Sequence, residues 1–310
     1  MRLNRTFELF SRRKARYFVG CLLGVSLLGA GWWAGYRQSS TARGPDLAWQ
    51  PFRALLLPDS LSFCGEPVPL KDPEVRERFE RELYLLVYRP FQVFFHIKRS
   101  VRYFRYIEAE LRSRGLPEDL KYLAVAESDL LPQAISPAGA AGLWQFMPDV
   151  ARQFGLRVDE AVDERLHLRK STQAALRYLD QLYRRFGSWH LAGAAYNLGP
   201  GRLEALIRQQ GTRSYYELWL ADETARYVLK AAAIKAIFEQ PHRFGFDLSG
   251  LEPYPEYPTR TVLVEGPVAD LAAWCRQQGL SYRLVRLLNP WIRRPELPVG
   301  RFELDIPASG

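Results

Sequence analysis

Residues 121–148 read KYLAVAESDLLPQAISPAGAAGLWQFMP, and one carboxylate, Glu127, lies on what is otherwise the apolar face of a short helix. That face starts at Leu120, and Glu127 is the residue at i+7, where helical periodicity favours an apolar side chain. Either the carboxylate reaches water or accepts hydrogen bonds from neighbouring amides at the helix end, or the fold withholds water from it. In the second case burial raises the pKa of the carboxyl group and leaves an acid that can donate a proton near neutral pH.

Helical patterns surround this stretch, from Asp72 to about residue 240. Asp72 followed by Pro73 predicts the start of a first helix, which Pro90 ends. A second helix is predicted over residues 91–114. The next two helices are predicted to open at Glu118 or Asp119 and at Ser171 or Thr172, and the second of them ends at Gly187. Three more helices are predicted over residues 189–197, from Gly201 to Gly211 and, capped by Asp222, over residues 223–239. The pattern therefore predicts an all-α domain.

The net charge of the chain is concentrated at its N-terminus. Residues 1–43 hold eight basic side chains and one acidic side chain, so they carry +7 of the total charge of +9. The remainder of the chain is close to neutral and has no charge excess of the kind that nucleic-acid binding requires. We therefore expect no nucleic-acid partner.

An apolar segment, YFVGCLLGVSLLGAGWWAGY, occupies residues 17–36. Its 20 residues, at about 1.5 Å each, match the thickness of a bilayer's hydrocarbon core. Two tryptophans near its end suit a membrane interface better than a cleavage site, and the preceding positive charges keep the N-terminus in the cytoplasm. We expect residues 1–37 to be a basic cytoplasmic tip and a transmembrane helix, with a cleaved signal as the alternative. In both cases the rest of the chain lies outside the cytoplasm.

Composition divides the rest of the chain into three parts. Residues 38–72 are rich in Ser, Pro, Gly and Asp and are predicted to be a linker, and residues 73–248 form the helical domain. Within residues 249–310, the stretches RTVLVEG (260–266) and RFELDIP (301–307) indicate strands, and VADLAAWCRQQ between them indicates a helix. This last part is predicted to be a small mixed α/β module.

Cys64 and Cys275 are the two cysteines outside the apolar segment. A disulfide between them is permitted in an oxidising compartment, although the sequence gives no geometric reason to expect one. Neither has a neighbour at the spacing of metal ligands, and the sequence contains no His-x-x-x-His pair. We expect no metal and no cofactor.

Polar and aromatic side chains stand out in three further stretches. The motif GLWQFMP contains Gln145, AAYNLGPGR contains Tyr196 and Asn197 before a glycine turn, and ETARYV contains Tyr227. Each stretch alone is weakly specific, because aromatic residues at helical spacing usually pack in cores and Asn-x-Gly commonly ends a helix. Their order along the chain is more informative than any one of them.

Four motifs follow one another: E-S at Glu127, then S-P-x-G-A-x-G-L-x-Q-x-M-P, A-Y-N-x-G-x-G-R and E-T-x-x-Y-V. In this order they resemble the lytic transglycosylases, the goose-type-lysozyme-like group that acts on peptidoglycan. The resemblance covers roughly residues 61–245, and the flanking stretches FCGE-x-VPL and VDER are most similar to the membrane-bound D type of these murein transglycosylases. It implies a mainly α fold with a lysozyme-like, all-helical catalytic domain.

The resemblance also implies roles for individual residues. Glu127 matches the family's sole catalytic acid and base, and Glu223 belongs to a last motif whose role is partly structural. Trp144 stands where many relatives have methionine and is expected to alter the wall of the substrate groove. The residues expected to bind substrate in that groove are Ser128, Ser136, Gln145, Tyr196, Asn197 and Tyr227.

The reaction that the resemblance implies needs only one carboxylate. Glu127 would protonate the oxygen between N-acetylmuramic acid and N-acetylglucosamine and then deprotonate the muramoyl 6-hydroxyl, which closes a 1,6-anhydro ring without water. Hydrolysis normally needs a second carboxylate across the bond, and Asp129 would point away from Glu127 on a helix. Asp163 and Glu164 are expected to cap a turn or pair with Arg165. A hydrolytic muramidase and a catalytically silent peptidoglycan-binding scaffold are the alternatives.

The C-terminal module distantly resembles a LysM-type glycan-binding module. Its strand–helix–helix–strand order is similar, but E-G-P at residues 265–267 replaces the Gly-Asp-Thr turn usual after the first strand. Trp274 and Trp291 therefore either stack on sugars or pack in a core. Together with the anchor, the resemblance implies two partners, peptidoglycan glycan strands and, through residues 17–36, the inner membrane, and it places residues 38–310 in the periplasm.

Overall fold

The structure is a computed structural model and describes residues 54–308 of the chain. The predicted anchor at residues 17–36 and the basic segment around it lie outside the described residues. Within the described part, no helix is both long and apolar enough to cross a membrane. This part is mainly helical and ends in a small module that contains two long strands, as the sequence predicts.

The helical domain begins where the sequence predicts. Asp72 Oδ1 accepts a hydrogen bond of 2.9 Å from the amide of Glu74, which caps the first helix. Two later helices end at Gly187 and Gly211, whose φ angles of +72° and +71° are the left-handed conformation that glycine adopts without strain. The helices are α1 (Pro73–Val87), α2 (Pro90–Ser113), α3 (Lys121–Ser128), α4 (Pro148–Gln153), α5 (Leu168–Phe186), α6 (Trp189–Leu198), α7 (Pro200–Gln210) and α8 (Asp222–Glu239).

Two predicted helix starts are wrong. Helix α5 begins at Leu168, and Ser171 and Thr172, the predicted caps, are buried inside it. Thr172 Oγ1 instead accepts a hydrogen bond of 3.0 Å from Trp144 Nε1, a partner that only tertiary packing supplies. Asp222 is the first residue of α8 and not its cap.

Part of the predicted linker is folded. Strands β1 (Leu61–Phe63) and β2 (Glu66–Val68) form an antiparallel hairpin, and Phe63 is completely buried in the helical core. The two residues between the strands have positive φ angles, which is typical of a tight hairpin turn. Glu66 then accepts hydrogen bonds at the start of α6, including one of 2.7 Å from Ser188 Oγ. The composition of this segment did not reveal these long-range contacts.

Helix α8 is the centre of the helical domain. It packs against α1, α3 and α6, and its middle turn consists of three completely buried alanines at 231–233. This turn is apolar on all sides and is therefore buried on all sides. This packing brings the first turns of α8 against the end of α3, where Glu127 lies.

The C-terminal module has the predicted strand–helix–helix–strand order. Its elements are β3 (Thr259–Val268), α9 (Leu271–Gln277), α10 (Tyr282–Leu288) and β4 (Leu297–Pro307), and the two strands pair antiparallel. Its apolar side chains form one cluster with Val162 and Leu166 of the helical domain. Trp291 is buried in this cluster and stacks on His167 with ring centroids 5.6 Å apart, so it is a core residue.

Cys64 and Cys275 are free and buried in two different hydrophobic clusters. Cys64 belongs to the helical core and Cys275 to the cluster of the C-terminal module. The permitted disulfide does not form.

Candidate active site

A cleft of about 890 Å³ opens between α1, α3, the loop after α3, the junction of α6 with α7, and the start of α8. The packing of these elements on α8 brings together motifs that are up to 100 residues apart in the sequence. The predicted site residues that line the cleft are Glu127, Ser136, Gln145, Tyr196, Asn197 and Tyr227.

Glu127 lies in the last turn of α3, one residue before the helix ends. The next residue but one, Asp129, has a φ angle of +54° and turns the chain away from the helix axis. Across the cleft, the phenol of Tyr227 on α8 donates a hydrogen bond of 2.6 Å to Glu127 Oε1. The carboxyl group is therefore held in position through Oε1.

Burial raises the pKa of Glu127 from 4.5 to about 7. The hydrogen bond from Tyr227 and the positive charge of Lys230 oppose this rise, because both favour the carboxylate. The negative charge of Glu223 adds to it. Desolvation prevails, so a large fraction of Glu127 is protonated near neutral pH.

Lys230 is a cleft residue that sequence analysis missed. Its Nζ donates a hydrogen bond to the carbonyl of Ala126, beside the carboxyl group of Glu127. The signal that could have found it is its position three residues after Tyr227, on the same face of α8. It provides a fixed positive charge next to the acid.

Tyr196 lies at the end of α6 and donates a hydrogen bond of 2.7 Å to the carbonyl of Trp144. Burial and the negative charge of Glu127 raise the pKa of Tyr196 well above its usual range, so the phenol stays neutral. Its ring packs 5.3 Å from that of Tyr178, centroid to centroid. Tyr196 thus joins the loop after α3 to the end of α6.

Asn197 connects α6 to the start of α8. Its Nδ2 donates to Glu223 Oε1 at 3.2 Å, and its Oδ1 accepts from Thr224 Oγ1 at 2.7 Å. Glu223 also lines the cleft, so a second carboxylate faces the same space as Glu127. The E-T motif therefore fixes the geometry of the site and adds charge to it.

Gln145 and Ser136 line the cleft and also hold the loop after α3 in shape. Gln145 has a φ angle of +46°, and its Nε2 donates to the carbonyl of Gly142 at 2.8 Å. Ser136 Oγ accepts a hydrogen bond of 3.0 Å from the amide of Ala140. Both side chains thus shape the wall of the cleft.

Two expectations about the groove are not supported. Ser128 is buried and does not line the cleft, because its Oγ faces the carbonyls of Ala124 (3.1 Å) and Leu143 (3.0 Å) in the interior. Trp144 is completely buried, so it does not form the groove wall. Both follow from helical or loop geometry that turns the side chain into the core.

The other carboxylates near the motifs have structural partners. Asp129 accepts hydrogen bonds from Gln92 Nε2 (3.0 Å) and lies 2.7 Å from His96 Nε2, on the α2 side of the helix end and away from Glu127. Asp163 forms a buried ion pair of 2.7 Å with Arg165, as predicted. Glu164 pairs with Lys170 instead. Within residues 54–308, no cluster of His, Cys, Asp and Glu side chains is arranged to hold a metal ion.

Two parts of the chain match known protein families. Residues 105–219 match the family described as Transglycosylase SLT domain. Residues 260–310 match the soluble lytic transglycosylase C-terminal LysM-like domain. The two matches fall on the helical domain and on the C-terminal module.

Two individual relatives also match the chain, and the first of them is named a lytic transglycosylase. Membrane-bound lytic murein transglycosylase D of Escherichia coli K12 is 32% identical over 243 residues, which is 76% of this chain and 52% of the relative. A putative tributyltin chloride resistance protein of Alteromonas is 34% identical over 147 residues, 46% of this chain and 71% of the relative.

Among solved structures, the 70 kDa soluble lytic transglycosylase of E. coli matches 49% of this chain and 27% of its own, at 25% identity and a TM-score of 0.38. The chain spans about half the length of the membrane-bound relative that it matches. On its family matches and its curated relatives, the chain belongs to the SLT-domain lytic transglycosylases.

Proposed function

We propose that this chain cleaves peptidoglycan as a lytic transglycosylase, with Glu127 as the acid and then the base. The observation that carries the proposal is Glu127 itself, at the floor of a cleft with its pKa raised to about 7. A general acid is most effective when its pKa lies near the working pH. A carboxyl group that is only structural gains nothing from desolvation.

In the first step, the protonated oxygen of Glu127 donates its proton to the glycosidic oxygen between N-acetylmuramic acid and N-acetylglucosamine. The bond from the anomeric carbon to that oxygen breaks, and the bond electrons leave with the N-acetylglucosamine hydroxyl. The 2-acetamido group of the substrate stabilises the cationic centre. Lys230 and the phenol of Tyr227 stabilise the carboxylate that Glu127 becomes.

In the second step, the carboxylate of Glu127 takes the proton of the muramoyl 6-hydroxyl. The oxygen of that hydroxyl forms a bond to the anomeric carbon, and a 1,6-anhydro ring closes. Glu127 ends protonated, as it began, and no water is consumed.

Glu223 gives a specific reason to keep hydrolysis as a second candidate. A muramidase would need a second carboxylate to activate water or stabilise the intermediate, and Glu223 lines the same cleft as Glu127. Its hydrogen bond from Asn197 and its place at the start of α8 favour a positioning role. A catalytically silent scaffold is the third candidate.

We further propose that residues 17–36 anchor the enzyme in the inner membrane, with residues 38–310 in the periplasm. The name of the E. coli relative, a membrane-bound transglycosylase, supports this location. Fractionation of cells, followed by N-terminal sequencing of the membrane-bound chain, tests it. A mature chain that starts after residue 36 would replace the anchor by a cleaved signal.

The test of the activity is incubation of the purified full chain with peptidoglycan sacculi and mass spectrometry of the released muropeptides. Glu127→Gln is the test variant, and Glu223→Gln is the control carboxylate in the same cleft. We expect products lighter by one water than hydrolytic ones, reduced at least about 100-fold in Glu127→Gln and retained in Glu223→Gln.

Two results would contradict the proposal. Products with free reducing ends that disappear in Glu223→Gln would identify a muramidase with two carboxylates. Binding of sacculi without release of any product, identical in wild type and Glu127→Gln, would identify a scaffold.

A further inference from the structure

A second cavity, of about 400 Å³, lies where α2 of the helical domain meets the C-terminal module. A smaller cavity of about 260 Å³ adjoins it, because Gln133, Leu287 and Pro290 line both. We call these two cavities together the seam groove. It shares no lining residue with the active-site cleft.

One end of the seam groove is strongly basic. Arg283, Arg286 and Arg293 line the smaller cavity, and no Asp or Glu does so. Arg283 and Arg293 are exposed, and within residues 54–308 neither side chain forms a hydrogen bond or an ion pair. Like charges on a concave surface repel one another and focus a positive potential in the cavity. This end of the groove is therefore complementary to an anionic group.

The other end combines aromatic rings with three further arginines and two carboxylates, Glu256 and Asp305. Tyr106 and Tyr257 line it, and the guanidinium of Arg102 lies 4.5 Å from the ring centroid of Tyr257. Arg105 is 84% exposed and has only a loose contact of 3.8 Å with Glu256. Flat rings and guanidinium groups suit the amides and carboxylates of a short peptide better than the broad surface of a membrane.

Residues of the same loop line the seam groove and the active-site cleft. Gln133 lines the groove and Ser136 lines the cleft. Three residues of extended chain span at most about 11 Å, so the two sites are close together. A polymer held in the cleft can therefore extend a side branch into the groove.

We propose that the seam groove binds the carboxylate-bearing stem peptide of a peptidoglycan strand whose glycan lies in the active-site cleft. This inference rests on the proposed function, because it takes peptidoglycan as the substrate. Stem peptides carry free carboxylates, which guanidinium groups bind with paired hydrogen bonds. Strands without peptides lack this contact and bind less tightly.

The test measures binding by the full chain in detergent, with isothermal titration calorimetry. The probe is a disaccharide-tetrapeptide muropeptide, compared with the same compound after its carboxylates have been methyl-esterified. The test variant is Arg283→Glu with Arg293→Glu, and Arg283→Ala with Arg293→Ala checks that reversal of charge is not itself the cause. Arg76→Glu, an exposed charge reversal on α1, is the matched control.

We expect the double reversal to weaken binding of the native muropeptide roughly tenfold, and the double alanine variant to weaken it less. Arg76→Glu should bind the muropeptide like wild type. Esterification of the muropeptide should weaken its binding to wild type by a similar factor. High salt should reduce the difference in affinity between wild type and the double reversal. Native binding by the double reversal would overturn the proposal. So would a larger effect of the same variant on vesicles of phosphatidylglycerol, which would identify a membrane surface instead.

Binding of the muropeptide does not require cleavage, so the two proposals can fail separately. A chain that releases no product but binds the muropeptide through these arginines would overturn the proposed activity and support the proposal about the seam groove. An active chain whose muropeptide binding ignores the arginines would do the reverse.

Discussion

Tyr227 and Glu127 are 100 residues apart in the sequence, and the phenol of Tyr227 donates a hydrogen bond of 2.6 Å to Glu127 Oε1. This bond favours the carboxylate form of Glu127, while burial of the group favours the neutral form. The balance of the two determines the pKa of the candidate acid.

Tyr227→Phe should move the pH profile of the enzyme to higher pH. Loss of the hydrogen bond removes a stabilisation of the carboxylate, so the pKa of Glu127 should rise above about 7. The falling limb of kcat/KM against pH, which requires the protonated acid, should shift to higher pH by the same amount. Turnover at pH 7 should fall because the carboxylate that forms in the first step is less stable.

The measurement for Tyr227→Phe is kcat/KM on soluble glycan strands between acid and alkaline pH. Tyr183→Phe, on α5 and outside the cleft lining, is the control for loss of a phenol. A falling limb that stays in place or moves to lower pH in Tyr227→Phe would show that this hydrogen bond does not control the acid.

Glu127→Gln should stabilise the fold at alkaline pH. Because folding raises the pKa of Glu127 from 4.5 to about 7, the folded chain binds more protons than the unfolded chain between these values. The free energy of unfolding of the wild type therefore falls as pH rises through this window. Glutamine removes this penalty, by on the order of 2–3 kcal/mol above pH 7 and by nothing near pH 4.

Denaturant unfolding at acid and at alkaline pH measures this difference. Glu77→Gln, an exposed carboxyl on α1, should behave like wild type at both values. Equal stability of Glu127→Gln and wild type at alkaline pH would contradict the desolvation of Glu127.

Arg165→Met should lower the free energy of unfolding, because it destabilises the loop after α3 that forms a wall of the cleft. Arg165 forms a two-bond pair with Asp163, and its Nη1 donates to the carbonyls of Gly139 (2.7 Å) and Phe146 (3.0 Å). Removal of one partner of a buried pair leaves an uncompensated charge, which costs about 3–5 kcal/mol. Activity should fall as well, because these carbonyls belong to the loop that lines the cleft.

Thermal and denaturant unfolding measure the cost of Arg165→Met. Arg184→Met, which breaks an exposed pair with Asp180 on α5, should cost less than about 1 kcal/mol. Replacing Arg165 by Met and Asp163 by Leu together should recover part of the loss, since no buried charge is then unpaired. Similar costs for the buried and the exposed variant would contradict the structural role of the Asp163 pair.

Gly142→Ala should disrupt the same loop through a steric clash. A Cβ at residue 142 would lie 1.9 Å from the carbonyl oxygen of Arg165, and its φ angle of +83° strains any other residue. We expect a loss of more than about 2 kcal/mol, and reduced activity because Gln145 Nε2 donates to the Gly142 carbonyl. Gly201→Ala in α7 meets no atom within 4 Å and should be neutral or stabilising by up to about 1 kcal/mol. Unfolding curves of the two variants measure these costs, and equal stabilities of the two would contradict the predicted clash at residue 142.

Local patterns predicted most of the helices, but two of the predicted caps are wrong. The Asp72 cap acts within the first turn of α1, so the sequence was sufficient there. For α5, the hydroxyls of Ser171 and Thr172 indicated a cap, but both are buried within the helix. The hairpin at Leu61–Val68 was missed for the same reason, since its apolar residues are buried only by helices far along the chain.

In the candidate site too, some features follow from local sequence patterns and others only from tertiary packing. Of the seven predicted site residues, six line one cleft. The motifs that contain them could be found from residue types and their order along the chain. Ser128 was assigned to the substrate groove, but its hydroxyl faces the interior. Lys230 and the second carboxylate in the cleft, Glu223, gained their electrostatic role only when α8 packed on α3.

The sequence by itself determined the helical class of the domain, which depends on periodicity, and the order of the motifs, which depends on residue types. Through the resemblance that these motifs carry, it also supplied Glu127 as the candidate acid. Only the tertiary structure decided the raised pKa of Glu127, the inward orientation of Trp144 and the seam groove. Burial and electrostatic interactions depend on distances between residues that are remote in sequence. Those distances exist only after the helices pack.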